Sequence, residues 1–217
     1  MPKKQTRHPY HFSKEKNLVD RIVEFGIPLV LFWLFFQFYN FGQITPSEMI
    51  KTTGLWAISL LSLTLMVGPL SGILPPVEKL KVYRKAWGIL SFAAALVHVG
   101  LVFVFYYKFN PARFVDFANP KYGGVLSGLL AIGILLLVTL TSNKKALAAL
   151  NPKTWKIVQT TSYLALGLAI LHFFIVEQVN GVLVIKRQLG WVVWWLAIAA
   201  IVLRVAVLFW PPRKKRT

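Results

Sequence analysis

The sequence predicts an all-α, polytopic membrane protein, a six-transmembrane-helix bundle with both termini cytoplasmic. Three observations support this prediction. Hydrophobic residues form 56% of the 217-residue chain, and its mean hydropathy is +0.60. The apolar residues gather in six runs of membrane-spanning length. Charged residues make up only 15% of the chain and stand almost entirely between these runs.

Each apolar run is close to the roughly 20 residues with which an α-helix crosses about 30 Å of hydrocarbon. The predicted spans are residues 25–41, 53–74, 86–107, 122–141, 157–176 and 189–210. Prolines fall mostly in the connections or near the ends of the runs, where helices end. We therefore expect a polar cytoplasmic tail (1–20), a six-helix domain (21–212) and a basic cytoplasmic tail (213–217), with no internal repeat.

The lysines and arginines predict the orientation. Of the 25 cations, 18 lie in the two tails and in the second and fourth connections, all on one side of the predicted membrane. Because cytoplasmic loops carry an excess of such residues, both termini should be cytoplasmic. This segregation, with attraction to anionic lipid, also accounts for the net charge of +18, so we expect the lipid bilayer and no nucleic acid as a partner.

Two classes of site are disfavoured by composition. The chain has no cysteine, which excludes disulfides and thiolate-ligated iron–sulfur clusters. None of the seven acidic residues is clearly near a predicted bilayer midplane, whereas proton pumps and cation-coupled transporters usually need a carboxylate there.

The first span follows more than twenty polar residues and no small-x-small cleavage site follows it, so it is predicted to be a retained helix.

Two histidines, His98 and His172, stand deep inside apolar runs, where hydrocarbon offers an imidazole no hydrogen-bond partner. The third and fifth helices run in the same direction. His98 follows Lys85 by 13 residues and His172 follows Lys156 by 16, or about 20 and 24 Å of helix. The two imidazoles can therefore share one level, just past the midplane.

Two neutral histidines at one depth on facing helices suit a bis-histidine haem, because each imidazole supplies one axial nitrogen. Ala94 and Ala95 lie on the face of His98, and Ala169 lies on the face of His172, which leaves space for a porphyrin. The alternative is a haem-free transporter or assembly factor in which each histidine hydrogen-bonds a neighbouring helix. Spacing alone leaves both open.

The other histidines, His8 and His11, form a His-x-x-His pair in the polar tail. A solvated tail is favoured over a metal site there, because two further ligands are not evident.

Three segments carry a resemblance to a known family. They are YRKAWG (83–88), AAALVH (93–98) and the stretch 155–173, which contains WKIVQTTSY and ILHF. These segments resemble the ferric reductase-like transmembrane domain, and within it the branch of haem-binding membrane subunits of periplasmic methionine sulfoxide reductase systems. The resemblance covers most of the chain, in helix count, loop lengths and spacing.

The resemblance implies an oxidoreductase electron-transfer subunit in a bacterial inner (plasma) membrane, with His98 and His172 as ligands of haem b. Electrons from a cytoplasmic flavin reductase would cross the membrane to an outer acceptor, in that branch a periplasmic molybdopterin-dependent reductase that repairs oxidised methionine. FMN accompanies the membrane subunit in some relatives. The alternative function that also involves a bound haem is a terminal metal or quinone reductase.

One position departs from the family pattern. Where the family often carries a further histidine, thirteen residues before His172, this chain has Gln159, and the matching position on the third helix is Arg84 or Lys85. An amide is a poor iron ligand and the two cations do not ligate iron at neutral pH, so we expect one haem. Arg84, Lys85 and Lys156 can neutralise haem propionates or a flavin phosphate at the inner surface, or serve only to set the topology.

Overall fold

The computed structural model describes residues 17–209 and contains six helices long and apolar enough to cross a membrane. This confirms the predicted fold class and the number of spans, while the cytoplasmic placement of the termini stays a prediction. A short surface helix (Lys144–Ala149) precedes the fifth span. The helices are α1 (Leu18–Tyr39), α2 (Pro46–Ile73), α3 (Arg84–Tyr106), α4 (Tyr122–Leu140), α5 (Lys144–Ala149), α6 (Pro152–Glu177) and α7 (Gln188–Phe209).

The connections are short. A 3₁₀ helix (Pro75–Val82) joins α2 to α3, and a second one (Pro111–Val115) lies between α3 and α4. A two-stranded antiparallel hairpin of β1 (Gln178–Val179) and β2 (Val182–Leu183) joins α6 to α7. We call the end of the bundle that holds the connections 74–83 and 141–151 the inner end, and the opposite end the outer end.

Capping side chains start three of the spans earlier than hydropathy predicts. Asn17 forms a capping box with Asp20, so α1 begins at Leu18. Thr45 caps α2 ahead of Pro46, and Asn151 caps α6 ahead of Pro152. Hydropathy marks only the apolar part of a span, whereas caps mark where its hydrogen bonding begins.

Four helices surround the centre of the bundle. The helices α2 and α3 pack as one antiparallel pair and α4 and α6 as another, while α7 packs along α2. Contacts of α3 with α4 and of α2 with α6 close the ring. In this ring α3 and α6 stand diagonally opposite each other and, among residues 17–209, are not a closely packed pair. The backbones of these two diagonal helices are therefore further apart than those of the packed neighbours.

The inner part of this ring is closed by a hydrophobic core. Its buried residues come from α2, α3, α4, α6 and α7: Leu61, Leu65, Phe92, Leu135, Ala165, Leu166, Ala197 and Ala200. Large apolar side chains such as Leu29, Leu137 and Leu208 are in contrast more than half exposed on the outside of the helices, as expected for surfaces that face lipid.

Polar side chains within the bundle are satisfied locally, as hydrocarbon requires. The hydroxyl of Ser91 on α3 donates to the carbonyl of Ala57 on α2 (2.8 Å), and the hydroxyl of Tyr163 on α6 donates to that of Leu65 (2.8 Å). Within the described part of the chain, no buried side-chain nitrogen or oxygen lacks a hydrogen-bond partner.

Candidate functional site: two imidazoles between diagonal helices

His98 on α3 and His172 on α6 meet across the gap between these two helices. Their ring centres are 6.1 Å apart, and the ring planes are inclined by 85°. Both imidazoles are half-buried rather than fully enclosed. The structure therefore brings together the two histidines that the sequence placed at one level.

Each imidazole is held by one backbone carbonyl of the neighbouring helix in its own pair. His98 Nδ1 is 2.8 Å from the carbonyl oxygen of Ile50 on α2, and His172 Nδ1 is 2.8 Å from that of Gly124 on α4. A carbonyl can only accept, so Nδ1 carries the hydrogen in both rings. The Nε2 lone pair of each ring is then the one available to a metal, as in most histidine metal ligands.

Two glycines let the imidazoles approach these carbonyls. A Cβ atom at Gly54 would lie 3.0 Å from His98 Nδ1, and a Cβ atom at Gly128 would lie 2.8 Å from His172 Nδ1. Real Cβ atoms essentially never come closer than 3.0 Å to such a neighbour. Any larger residue at Gly128 would thus push the ring or the helix away.

The surroundings of the two histidines repeat along the chain: each consists of an imidazole, the carbonyl that it contacts and a glycine. In both, the hydrogen bond joins residues 48 apart, and the glycine follows the accepting carbonyl by one helical turn. The offset from Gly54 to Gly128 equals that from His98 to His172, which is 74 residues. The expectation of no internal repeat was therefore wrong, because the pair α2–α3 recurs as the pair α4–α6.

This repeat is the signal by which sequence reasoning could have found Ile50, Gly54, Gly124 and Gly128. The segment GLWAISLL starting at Gly54 and the segment GLLAIGIL starting at Gly128 agree at five of eight positions. Aligning them also aligns the two histidines. The partners of both imidazoles follow from that alignment.

The arrangement fits a metal held between the two rings. A ligating imidazole nitrogen lies about 2 Å from its metal, and the centre of a five-membered ring with bonds near 1.35 Å lies roughly 1.1 Å from each ring atom. Two imidazoles on opposite sides of one iron therefore have ring centres roughly 6 Å apart. The observed 6.1 Å matches this spacing.

The surroundings of the rings are compatible with a flat cofactor between α3 and α6. On their own helix faces, alanines stand within one turn before each histidine. Ala94 is buried, while Ala95 and Ala169 are half-buried. These alanines add little side-chain bulk on the inner side of each ring.

The four other predicted site residues lie at the inner end and do not join the histidine pair. Arg84 starts α3 fourteen residues before His98, or about 21 Å along the helix. Its Nε donates to the carbonyl of Thr64 (3.0 Å), and its guanidinium lies beside Gly68. Lys85 and Lys156 are exposed at the same end. Lys156 lines an open groove of about 390 Å³ with Lys153, Ile157, Thr160 and Thr161.

Gln159 is engaged with its own helix pair. Its amide nitrogen lies within hydrogen-bond distance of the carbonyl of Val138 (3.3 Å) and of the hydroxyls of Thr141 and Ser142 (3.2 Å each). These contacts join α6 to the end of α4. The side chain that stands where the family often has a histidine is thus part of the local packing.

Arg204, the cation within the sixth span, lies close to an aromatic ring of the bundle. The guanidinium of Arg204 on α7 lies over the ring of Tyr163, 5.3 Å from its centre, so it faces the bundle. His8 and His11 lie outside the described residues.

Comparison with known proteins agrees with this architecture. Residues 53–170 match the family described as ferric reductase like transmembrane component; the match includes His98 and ends two residues before His172. The chain is also similar to proteins named "Protein-methionine-sulfoxide reductase heme-binding subunit MsrQ". The one from Polaromonas naphthalenivorans is 27% identical over 173 residues, which is 75% of this chain and 78% of that protein.

Two Brucella proteins of the same name share shorter segments. The one from Brucella anthropi is 31% identical over 135 residues (62% of this chain, 59% of that protein), and the one from Brucella ovis is 30% identical over 121 residues (55% and 53%). This chain thus spans less than two thirds of the length of either Brucella protein. The family match covers more than half of the chain, and the protein therefore belongs to the ferric reductase like transmembrane component family.

Proposed function

We propose that this protein is a haem-b-containing transmembrane electron-transfer subunit, in which His98 and His172 would hold the haem iron. The observation that supports this most directly is the 6.1 Å separation of the two ring centres, with Nδ1 of each ring bound to a carbonyl. The name of these relatives, which calls them haem-binding subunits, supports the same proposal.

The protein's contribution is to hold the two nitrogens in place. The carbonyls of Ile50 and Gly124 fix the tautomer and the orientation of each ring. Gly54 and Gly128, which have no side chain, leave enough space for the rings to adopt this orientation. Bound haem supplies the one-electron chemistry, while the apolar bundle sets its dielectric surroundings. We propose one haem, because Gln159 is not an iron ligand and Arg84 contacts the backbone of α2 at the level where a second pair would stand.

The position of the histidines along the bundle suits electron delivery to the outer side. His172 stands five residues before Glu177, the outer end of α6, or about 8 Å, but twenty residues from Pro152, its inner end. We propose that electrons come from a cytoplasmic flavin reductase and leave to a periplasmic, molybdopterin-dependent methionine sulfoxide reductase. The relatives' association with methionine sulfoxide reductase in their names supports this acceptor, and the predicted orientation supports an inner-membrane location.

The cations at the inner end suit a phosphate better than a haem propionate. Arg84 and Lys85 lie about 20 Å along α3 from His98, beyond the reach of a haem held at that level. Lys156 lines an open groove at the same end. We therefore propose that Arg84, Lys85 and Lys156 attract the phosphate of a flavin, FMN, at the inner surface.

Optical spectroscopy of the protein purified from haem-replete bacterial cells tests the proposal. We expect a Soret band and sharp reduced α and β bands, which are lost in His98→Ala and in His172→Ala. The matched controls are His8→Ala and His11→Ala, which remove the other two histidines and should leave the spectrum unchanged. A folded but colourless wild-type protein would contradict the haem proposal and favour the haem-free transporter or assembly factor.

A further inference from the structure

Two hydroxyl groups contact the same carbonyls that hold the histidines. Ser127 Oγ donates to the carbonyl oxygen of Gly124 (2.8 Å), which also accepts from His172 Nδ1. Thr53 Oγ1 donates to the carbonyl oxygen of Ile50 (3.0 Å), which also accepts from His98 Nδ1. Both residues are buried, at 4% and 3% exposure, and they are equivalent under the 74-residue repeat.

We propose that Ser127 and Thr53 are positioning residues that set the reduction potential of the haem through the carbonyls they share with the histidines. This inference rests on the proposed function. The hydroxyls touch neither iron nor porphyrin in the proposed site. They act on the strength of the bond that each imidazole N–H donates.

The direction of the effect follows from the chemistry of a shared acceptor. A carbonyl oxygen has two lone pairs, and a hydroxyl that occupies part of this capacity weakens a second bond to the same oxygen. When the hydroxyl is removed, the N–H···O bond of the imidazole strengthens and the ring becomes a more basic ligand. A more basic axial ligand favours ferric iron, so the reduction potential falls.

The two hydroxyls should differ in how strongly they affect the reduction potential. Within residues 17–209 the Ser127 hydroxyl has a single acceptor, the Gly124 carbonyl, whereas the hydrogen of Thr53 is shared with the carbonyl of Met49 (2.8 Å). Removing the Ser127 hydroxyl should thus have the larger effect. Both substitutions should shift the potential in the same direction.

Redox titration of the haem α band in the purified protein tests this. Ser127→Ala should raise the ratio of oxidised to reduced haem at a fixed ambient potential by about threefold, which is about 30 mV at 59 mV per tenfold. Ser127→Thr keeps the hydroxyl and should restore the wild-type potential. The matched control is Ser59→Ala, because the Ser59 hydroxyl donates to the carbonyl of Leu55 (2.8 Å), which holds neither histidine.

The outcomes separate the inference from the proposed function. A wild-type protein without haem contradicts the proposed function and this inference with it. A haem-bound Ser127→Ala protein with an unchanged potential, or with a shift that Ser59→Ala reproduces, overturns the inference alone. If Ser127→Ala does not fold, the pair Thr53→Val and Thr53→Ser tests the inference instead. A reduction potential that is lowered in Thr53→Val but not in Thr53→Ser supports the inference. Equal reduction potentials in the two variants overturn it.

Discussion

In both the outer and the inner half of the central four-helix ring, a small residue on one helix of a pair faces a polar side chain on the other. The polar side chains are histidines in the outer half and an arginine and a glutamine in the inner half. In the outer half, Gly54 and Gly128 face His98 and His172. Fourteen residues further along α2, Gly68 faces the guanidinium of Arg84. At the corresponding place in the second helix pair, Ser142 lies within hydrogen-bond distance of Gln159.

The two halves differ in whether the polar side chain keeps an atom that can bind a metal. An imidazole that donates through Nδ1 keeps a lone pair on Nε2, and the two rings stand 6.1 Å apart across the ring of helices. The Gln159 amide instead contacts three oxygens of its own helix pair, and Arg84 Nε donates to the backbone of α2. We infer that the proposed haem would lie in the outer half and that Gln159 and Arg84 tie the helices of the inner half to one another.

The largest effect that tests this comparison should come from Gly128→Ala. The new Cβ atom would lie 2.8 Å from His172 Nδ1, so the imidazole must leave its carbonyl. Loss of a partner that orients a metal ligand typically costs tenfold or more in affinity, and we expect about a tenfold loss of haem affinity. A haem titration of the apoprotein, followed at the Soret band, measures it.

A matched glycine on the same helix controls for the substitution itself. Gly133 has no heavy atom within 4 Å of an added Cβ, so Gly133→Ala should keep full haem affinity and, as a helix-favouring change, the stability of the fold. Gly54→Ala, with contacts at 3.0 and 3.1 Å, should give a smaller loss than Gly128→Ala. Equal affinities in Gly128→Ala and Gly133→Ala would show that the glycine does not position His172.

The sequence was sufficient to predict the six spans and the histidine pair, because both depend on residue type and hydropathy. An apolar run of sufficient length indicates a span, and a histidine inside it is conspicuous. The partners of His98 and His172 were missed because they are backbone carbonyls, which every residue has. Only the repeated segments around Gly54 and Gly128 mark them.

Arg204 shows a second limit of the same kind. From sequence it can face lipid or the bundle equally well, since both placements satisfy hydropathy. Its position over the Tyr163 ring depends on how α7 is rotated against α2, which is set by tertiary packing of residues such as Ala197 and Ala200. Helix rotation is therefore the part of this fold that composition alone did not determine.

The inner half should respond to Gln159→His with a change in stability and not in haem content. The substitution offers one imidazole at a level where α3 carries Arg84 and Lys85, so a second iron site would still lack its other axial ligand. Loss of the amide contacts to Val138, Thr141 and Ser142 should lower the free energy of unfolding by about 1–3 kcal/mol.

The haem-to-protein ratio and the thermal unfolding midpoint measure the two parts of this prediction. Gln159→Leu is the matched control, because it removes the same contacts without adding an imidazole, and it should show the same loss of stability. A ratio that rises towards two in Gln159→His alone would mean that the inner half still holds a second cofactor site.

The smallest effect should come from Tyr83, which joins the inner ends of α1 and α3. Its hydroxyl donates to the carboxylate of Asp20 (2.6 Å), and its ring stacks on Trp87. The hydrogen bond to Asp20, followed by burial, raises the pKa of Tyr83 above its ordinary value. Tyr83→Phe should therefore lower the free energy of unfolding by about 1–2 kcal/mol at pH 7 and leave the Soret band unchanged.

The sign of the pH dependence follows from the raised pKa of Tyr83. The unfolded chain loses the phenolic proton first, so the stabilisation is fully present below about pH 10 and is lost as the pH rises through the higher folded pKa. Thermal unfolding in detergent from pH 7 to 11 should show the gap between wild type and Tyr83→Phe closing at the alkaline end. The exposed Tyr106 provides the control variant Tyr106→Phe. A gap that persists unchanged to pH 11 would mean that Tyr83 stabilises the inner end through its ring alone.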